Sequence, residues 1–190
     1  MKLALMGLTG AGKGTQSERI EQEYGIPHIS TGDLLRNNSD RGVDSDGYLE
    51  QDDPYETIQD VLDRGGAPPA ATVRQFLDER LDQGDTGDGY VLDGWPRSEE
   101  QAEQMDEMDE LDAMVYLRVD DEQVLYDRLL ERGRDDDTRD NIERKIDRQS
   151  DNIDDMYDHY QDHDAELIEI DAEQGIDEVW TDLAEELEQL

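Results

Sequence analysis

The sequence predicts an α/β fold, a five-stranded parallel sheet with helices on both faces. Three observations lead there. Short apolar runs alternate with segments of helical length along the whole chain. A glycine-rich turn joins the first apolar run directly to the first helix. At 190 residues the chain is long enough for one domain with a sizeable core, residues 1–190.

Leu3-Ala4-Leu5-Met6 reads as a buried strand, and Thr15 to Tyr24, with Ile20 and Tyr24 at helical spacing, as the first helix. Gly25 to Ser30 is a short second strand. Ser30 or Thr31 then caps a helix opening Thr31-Gly32-Asp33-Leu34-Leu35-Arg36. Residues 37–53 are polar and glycine-containing and read as a surface segment. Tyr55 to Leu62 reads as a helix stopped by Gly65-Gly66. Pro68-Pro69 starts another, with Val73, Phe76, Leu77 and Leu81 on one face. After a loop at 84–89, Tyr90-Val91-Leu92-Asp93 is a buried strand ending in a carboxylate. Ser98 to Met108 is a helix, Ala113 to Val119 a strand and Glu122 to Glu131 a helix. A tight break at Gly133 to Asp137 precedes a long acidic helix, about Asn141 to Tyr160. Leu167 to Ile170 and Ile176 to Leu187 are the last strand and helix. No internal repeat is present.

The turn Gly7-Leu8-Thr9-Gly10-Ala11-Gly12-Lys13-Gly14-Thr15-Gln16 has the strand-turn-helix context that a phosphate-binding loop requires. Glycines let successive N–H groups converge on one point, and the helix N-terminus adds partial positive charge. Lys13 places a mobile cation on the outer phosphates. The general pattern has a hydroxyl directly after this lysine. Here Gly14 intervenes and the hydroxyl arrives at Thr15.

This loop, followed in order by Thr31-Gly32-Asp33-Leu34-Leu35-Arg36 and Asp93-Gly94-Trp95-Pro96-Arg97, resembles the three signatures of adenylate kinases. These are nucleoside monophosphate kinases of the P-loop NTPase fold, and the resemblance spans essentially the whole chain. It implies reversible transfer of a phosphoryl group from MgATP to AMP, giving two ADP. It also implies an AMP-binding segment at about 30–68 and a short lid at about 132–138. Gly10, Ala11, Gly12, Lys13, Gly14 and Thr15 would hold ATP. Thr31 would meet the AMP base region and Arg36 the AMP phosphate. Gly66, Ala67, Pro68 and Gly94 would line the AMP pocket, and Arg97 would bind the AMP phosphate. Gln101 can pair with the adenine edge, since an amide donates and accepts at once. Asp93, with Asp33, would orient the water shell of Mg²⁺.

Seven of the chain's 17 cations lie between Arg128 and Arg148. The resemblance sends Arg128 and Arg132 to the ATP phosphates. It sends Arg134 and Lys145 to the transferring group and the AMP phosphate. Lys13, Arg97, Arg132, Arg134 and Lys145 would thus form the catalytic set, while Arg139 and Arg144 would pair with neighbouring acids. Gln174, in Ala172-Glu173-Gln174-Gly175, would lie by the ATP adenine. The chain departs from the family in three places. Leu8-Thr9 stands where Ala-Pro is commonest. Lys145 replaces an arginine, a point charge in place of a fork. The lid is cut to one residue between Arg132 and Arg134, which excludes a zinc-binding lid.

Asp and Glu total 54 against 17 Lys and Arg, a net charge of −37. Such a surface resembles that of proteins from salt-accumulating organisms, where molar salt shortens the Debye length to ~3 Å. The charge argues against a nucleic-acid partner, which needs a basic face. There is no cysteine, hence no disulfide and no thiol nucleophile. No apolar stretch reaches the ~20 residues of a membrane span. With Leu3 already in the first strand, the expectation is no signal peptide and a cytoplasmic protein without membrane contact; the resemblance implies a monomer. His159 and His163 lie one turn apart, on a helix read as fully polar with no third ligand, so they are expected in solvent. Two rivals stand beside the kinase reading. A UMP/CMP kinase is opposed by Thr31 and Gln101. A nucleotide-dependent switch is opposed by Arg36, Arg97, Arg132 and Arg134, since a switch needs no second phosphate pocket.

Overall fold

A computed structural model describes residues 1–43, 49–50, 56–63, 66–134 and 137–190. Its elements run β1 (Lys2–Met6), α1 (Lys13–Tyr24), β2 (His28–Ser30), α2 (Thr31–Asn37), β3 (Gly42–Val43), β4 (Leu49–Glu50), β5 (Glu56–Thr57), α3 (Ile58–Asp63) and α4 (Ala70–Leu81). They continue β6 (Tyr90–Asp93), α5 (Glu99–Met108), β7 (Ala113–Arg118), α6 (Glu122–Arg132), α7 (Arg139–Gln161), β8 (Glu166–Asp171) and α8 (Ile176–Leu187). The main sheet is five-stranded and parallel, in the order β2-β6-β1-β7-β8.

The two-residue period of each strand divides the core. Leu3, Leu5, Val91, Val115 and Leu117 turn to one face, where Ile20 of α1, Leu125 and Leu129 of α6, and Val179 and Leu183 of α8 cover them. Ala4, Met6, Tyr90, Leu92 and Met114 turn to the other, against Val73 and Leu77 of α4 and Ala102 and Met105 of α5. The 23-residue α7 serves both layers: Ile142 and Ile146 join the first, Met156 and Tyr160 the second.

Helix ends follow local chemistry. Ser30 accepts the Asp33 N–H at 3.3 Å and Ser98 the Gln101 N–H at 3.4 Å, each hydroxyl satisfying one orphan amide. Thr138 starts α7 in the same way.

Residues 37–63 depart from the sequence reading. Within the segment read as polar surface and the start of the expected helix, β3, β4 and β5 form a three-stranded antiparallel sheet in the order β4-β3-β5; residues 44–48 and 51–55 lie outside the described residues. The helix starts at Ile58; Tyr55 and Gly65 lie outside the described residues. Thr57 donates its N–H to Asp60 Oδ2 at 2.9 Å, and its hydroxyl accepts the Asp60 N–H at 3.1 Å. Two-residue strands carry no period to read, and a reciprocal cap of this kind is set only once the strand is in place. Leu35, Val43, Ile58 and Phe76 close a small separate core beneath this sheet. Arg41 lies over the Phe76 ring at 4.8 Å and is held by Glu79 at 2.6 and 3.0 Å.

Leu92 is fully buried in β6, between β1 and β2. Leu92→Ala is expected to cost about 3 kcal/mol, lost transfer energy plus a cavity that neighbouring strands cannot collapse. Urea unfolding read by circular dichroism should show a lower midpoint at unchanged slope.

Candidate active site

The loops after β1, β2, β6 and β8 leave the same, carboxyl edge of the parallel sheet, where an open α/β sheet forms its crevice. The loop after β1 turns sharply into α1. Gly12 is the N-cap of that helix at φ +100°, and a Cβ there would meet nothing within 4 Å, so the approach to the helix N-terminus is open. Lys13 folds back over the loop and donates to the carbonyls of Gly7 at 2.8 Å and Leu8 at 3.0 Å.

Asp93 ends β6 beside this loop, with Oδ2 3.5 Å from where a Cβ of Gly14 would stand. Its carbonyl accepts the Thr31 hydroxyl at 3.1 Å, joining the ends of β2 and β6. Gly94 follows at φ +89°. A Cβ there would fall 2.4 Å from Thr31 Oγ1 and 2.5 Å from an Arg97 nitrogen, so only glycine lets these two side chains close over it. Arg97 Nε donates to the Gly94 carbonyl at 2.6 Å.

The electrostatics tie these groups together. Burial brings the Lys13 ammonium from its ordinary 10.5 down to about 8; Asp93 opposes the shift, while Arg97 and Arg132 reinforce it. Burial also lowers Arg97, against Asp93 and with help from Arg148 and Arg36. Asp33 is held below the usual carboxylate range: desolvation pushes it up, but the bond and charge of Arg36, the Ser30 hydrogen bond and the Arg134 charge together outweigh it. Lys13, Arg36, Arg97, Arg132, Arg134 and Arg148 therefore feel one another or a shared acid across the cleft.

Individual placements differ in kind. Arg36 is engaged by Asp33 at 2.6 Å. Gln101 Oε1 accepts the backbone N–H of Arg97 at 2.8 Å, so a base edge would have to share that oxygen through its second lone pair. Gly66 follows α3, donating to the Val61 carbonyl at 3.0 Å; Ala67 is exposed and Pro68 buried. The Arg128 guanidinium donates to the carbonyls of Ala172 at 2.7 Å and Gln174 at 3.0 Å, fixing the loop between β8 and α8. The Gln174 amide itself donates to Asp182 at 2.6 Å and the Asp171 carbonyl at 3.1 Å. Arg139 lies over the Tyr126 ring at 5.8 Å and Arg144 meets Asn141 Oδ1 at 3.4 Å.

Asp137 is the residue that sequence reasoning missed. Its side chain has no exposure. It accepts both Arg132 Nε at 2.9 Å and a terminal Arg132 nitrogen at 2.7 Å, together with the Arg134 N–H at 3.2 Å. Lys145 Nζ stands 3.8 Å away. This buried carboxylate organises the arginine and lysine at the α6–α7 junction. Nothing in the run Asp135-Asp136-Asp137 marks Asp137 as buried; residues 135 and 136 lie outside the described set. Arg148 was also unassigned, although it follows Lys145 by three positions and so shares its helical face.

His159 and His163 are corrected outright. They are half-buried rather than solvent-facing, and α7 is not fully polar, since Met156 and Tyr160 belong to the core. A third group also exists. Asp106 of α5 meets His159 Nε2 at 2.9 Å and His163 Nε2 at 3.4 Å. Donor atoms of the three lie within 4.8 Å of one another. The Ala165 N–H occupies His163 Nδ1 at 3.0 Å, which leaves the imidazole proton on Nε2, facing Asp106. The trio is thereby a hydrogen-bonded clasp between α5 and α7. No helix among the described residues is long and apolar enough to cross a membrane.

A family model described as adenylate kinase matches residues 5–165. An adenylate kinase of Mycolicibacterium vanbaalenii is 40% identical over 185 residues, covering 95% of each chain. One from a Mycobacterium species is 37% identical, again covering 95% of each. One from Haloarcula marismortui is 34% identical over 96% of this chain and 94% of its own.

The lowered Lys13 ammonium has a stability consequence. Between about 8 and 10.5 the unfolded chain holds a proton that the folded chain has lost, so the wild-type fold gains stability as pH rises through that window. Below it the penalty of burying the charge is fully present. Lys13→Met should therefore melt higher than wild type at pH 7, without ligand, and the gap should close by about pH 10.5. A gap that stays constant with pH would contradict the burial of this charge.

Proposed function

The chain belongs to the adenylate kinase family, and from that membership we propose that it transfers a phosphoryl group reversibly from MgATP to AMP, giving two ADP. The observation that carries the reading at residue level is the gathering of cations about Asp93. Lys13 stands on the phosphate loop, and Arg36 and Arg97 stand together at the ends of β2 and β6. That separation supports two phosphate pockets, one on each side of the Asp93 carboxylate.

Roles follow from position. Gly10, Ala11, Gly12, Gly14 and Thr15 cradle the ATP phosphates with backbone N–H groups at the start of α1, and Lys13 follows their charge toward the transferred group. Arg36 and Arg97 hold the AMP phosphate, and Thr31, Gly66, Ala67, Pro68, Gly94 and Gln101 shape its nucleoside pocket. Arg132, Arg134 and Lys145 approach from the α6–α7 junction at about 132–138, the lid. Arg128 acts through the loop it holds, 172–174, which lies on the ATP base side with Gln174. Residues 30–68, with their own small core, form the AMP segment.

The attacking oxygen belongs to AMP, so no protein nucleophile is required; positioning and charge carry the reaction. Closure of the lid and AMP segment excludes water, which would otherwise take the phosphoryl group. Asp93 and the Thr15 hydroxyl offer the hard oxygen donors that suit Mg²⁺ and its water shell, with Asp33 on the AMP side. Bound with ATP, the ion would neutralise charge on the outer phosphates.

The acidic surface supports a halophilic reading, with a cytoplasmic monomer that binds neither nucleic acid nor membrane. At −37 the chain repels itself in dilute salt, and screening relieves it.

A coupled ADP assay with AMP, CMP and UMP in molar KCl tests the activity. AMP should be preferred, and equal use of all three would overturn the base assignment. Lys13→Met should lower turnover ~10²-fold, the effect of losing one preorganised electrostatic donor. Near-normal turnover in a folded variant would remove the loop from the site.

The melting temperature should rise steeply from roughly 0.1 M KCl to multi-molar, where the Debye length is below ~3 Å. A bisubstrate adenosine polyphosphate should raise it further at low salt, because only the folded state binds. A salt-independent melt would sink the halophilic reading, and no shift with ligand would sink the two-nucleotide site.

A further inference from the structure

The phosphate loop is fastened to a distant helix by one bond. The backbone N–H of Thr9 donates to Gln149 Oε1 at 2.7 Å, across 140 positions of chain. A proline at position 9 would have a fixed φ and no N–H. Threonine supplies no such rigidity, so this first turn of the loop is restrained from outside. Gln149 lines the pocket shared by Gly7, Lys13, Gly94 and Arg97. It stands one turn beyond Lys145 on α7, on the same helical face. Lys145 in turn approaches the buried Asp137 that grips Arg132.

We propose that Gln149 is a positioning residue for phosphoryl transfer: its side-chain carbonyl ties the phosphate loop to α7 and so sets Lys145 against Lys13. The inference rests on the role assigned to Lys145 above. Gln149 touches no reacting atom. It acts by holding two cation-bearing elements in register, and an error of an ångström there is felt in turnover rather than in binding.

Gln149→Leu keeps similar bulk and removes the acceptor. Its kcat should fall about tenfold, with the KM values for ATP and AMP within about twofold of wild type. Amide hydrogen exchange in the ligand-free protein should show Thr9 protected in wild type and fast in the variant. A double-mutant cycle with Thr9→Pro supplies the control: with no N–H at position 9, adding Gln149→Leu should lower kcat no further. Should Gln149→Leu fold poorly, Gln149→Met repeats the cycle, and the melting temperature of each variant separates lost fold from lost alignment. Three results would overturn the proposal. One is unchanged kcat. Another is a lowered ATP KM at unchanged kcat, which would mean that Gln149 competes with nucleotide for the amide. The third is an equal loss in both backgrounds. Lys145→Met, assayed in parallel, distinguishes the two failures: normal turnover there refutes the role of Lys145, whereas a crippled Lys145→Met beside a normal Gln149→Leu refutes only the tie.

Discussion

The carboxylate of Asp93 is the constraint on which the site depends. It stands at the end of a buried strand and opposes the downward shift that burial imposes on both Lys13 and Arg97. Each of those cations loses hydration on entering the cleft, and a nearby anion offsets part of the cost. The same residue ties β2 to β6 through its carbonyl and the Thr31 hydroxyl. One position thus sets the electrostatics and the geometry together. With Asp93 in place, cations can wait in the cleft for anionic ligands. Without it, Lys13 and Arg97 would repel one another unopposed.

The contrast with the rest of the surface is physical. The ion pairs Arg19–Asp177, Arg80–Asp85 and Arg74–Asp78 each include an acid more than half exposed, where water and salt leave little net gain. Lys13 and Arg97 are buried, with Asp93 as a shared acid, so they are screened less than the outer charges. A chain of net charge −37 can therefore present a cationic pocket without contradiction.

Helix α7 links the working parts. At its start, the clasp of Arg132 and Lys145 on Asp137 fixes the junction with α6. Farther along, Ile142 and Ile146 join one core layer, and Met156 and Tyr160 the other. At its far end, Asp106 of α5 gathers His159 of the last turn and His163 just beyond it. Through these contacts α7 joins the α6–α7 junction, both core layers and α5.

The sequence by itself determined the parts whose formation is local. Strand β6 and helix α8 are found at the residues read from the chain, because an apolar run and a 3.6-residue period need no distant partner to be recognised. The phosphate loop is equally local: strand, glycines, lysine and helix are contiguous. Tertiary structure decided what depends on encounters between remote residues. The small antiparallel sheet is built from strands of two residues, too short to show a pattern. The burial of Asp137 was settled by where Arg132 and Lys145 arrive. Arg128 was drawn to the carbonyls of a loop 44 to 46 positions away. The histidines found Asp106 some 53 positions back for His159, and Thr9 found Gln149 across 140. A hydrogen bond is specified by the positions of two groups in space, and a linear pattern carries only the position of each along the chain.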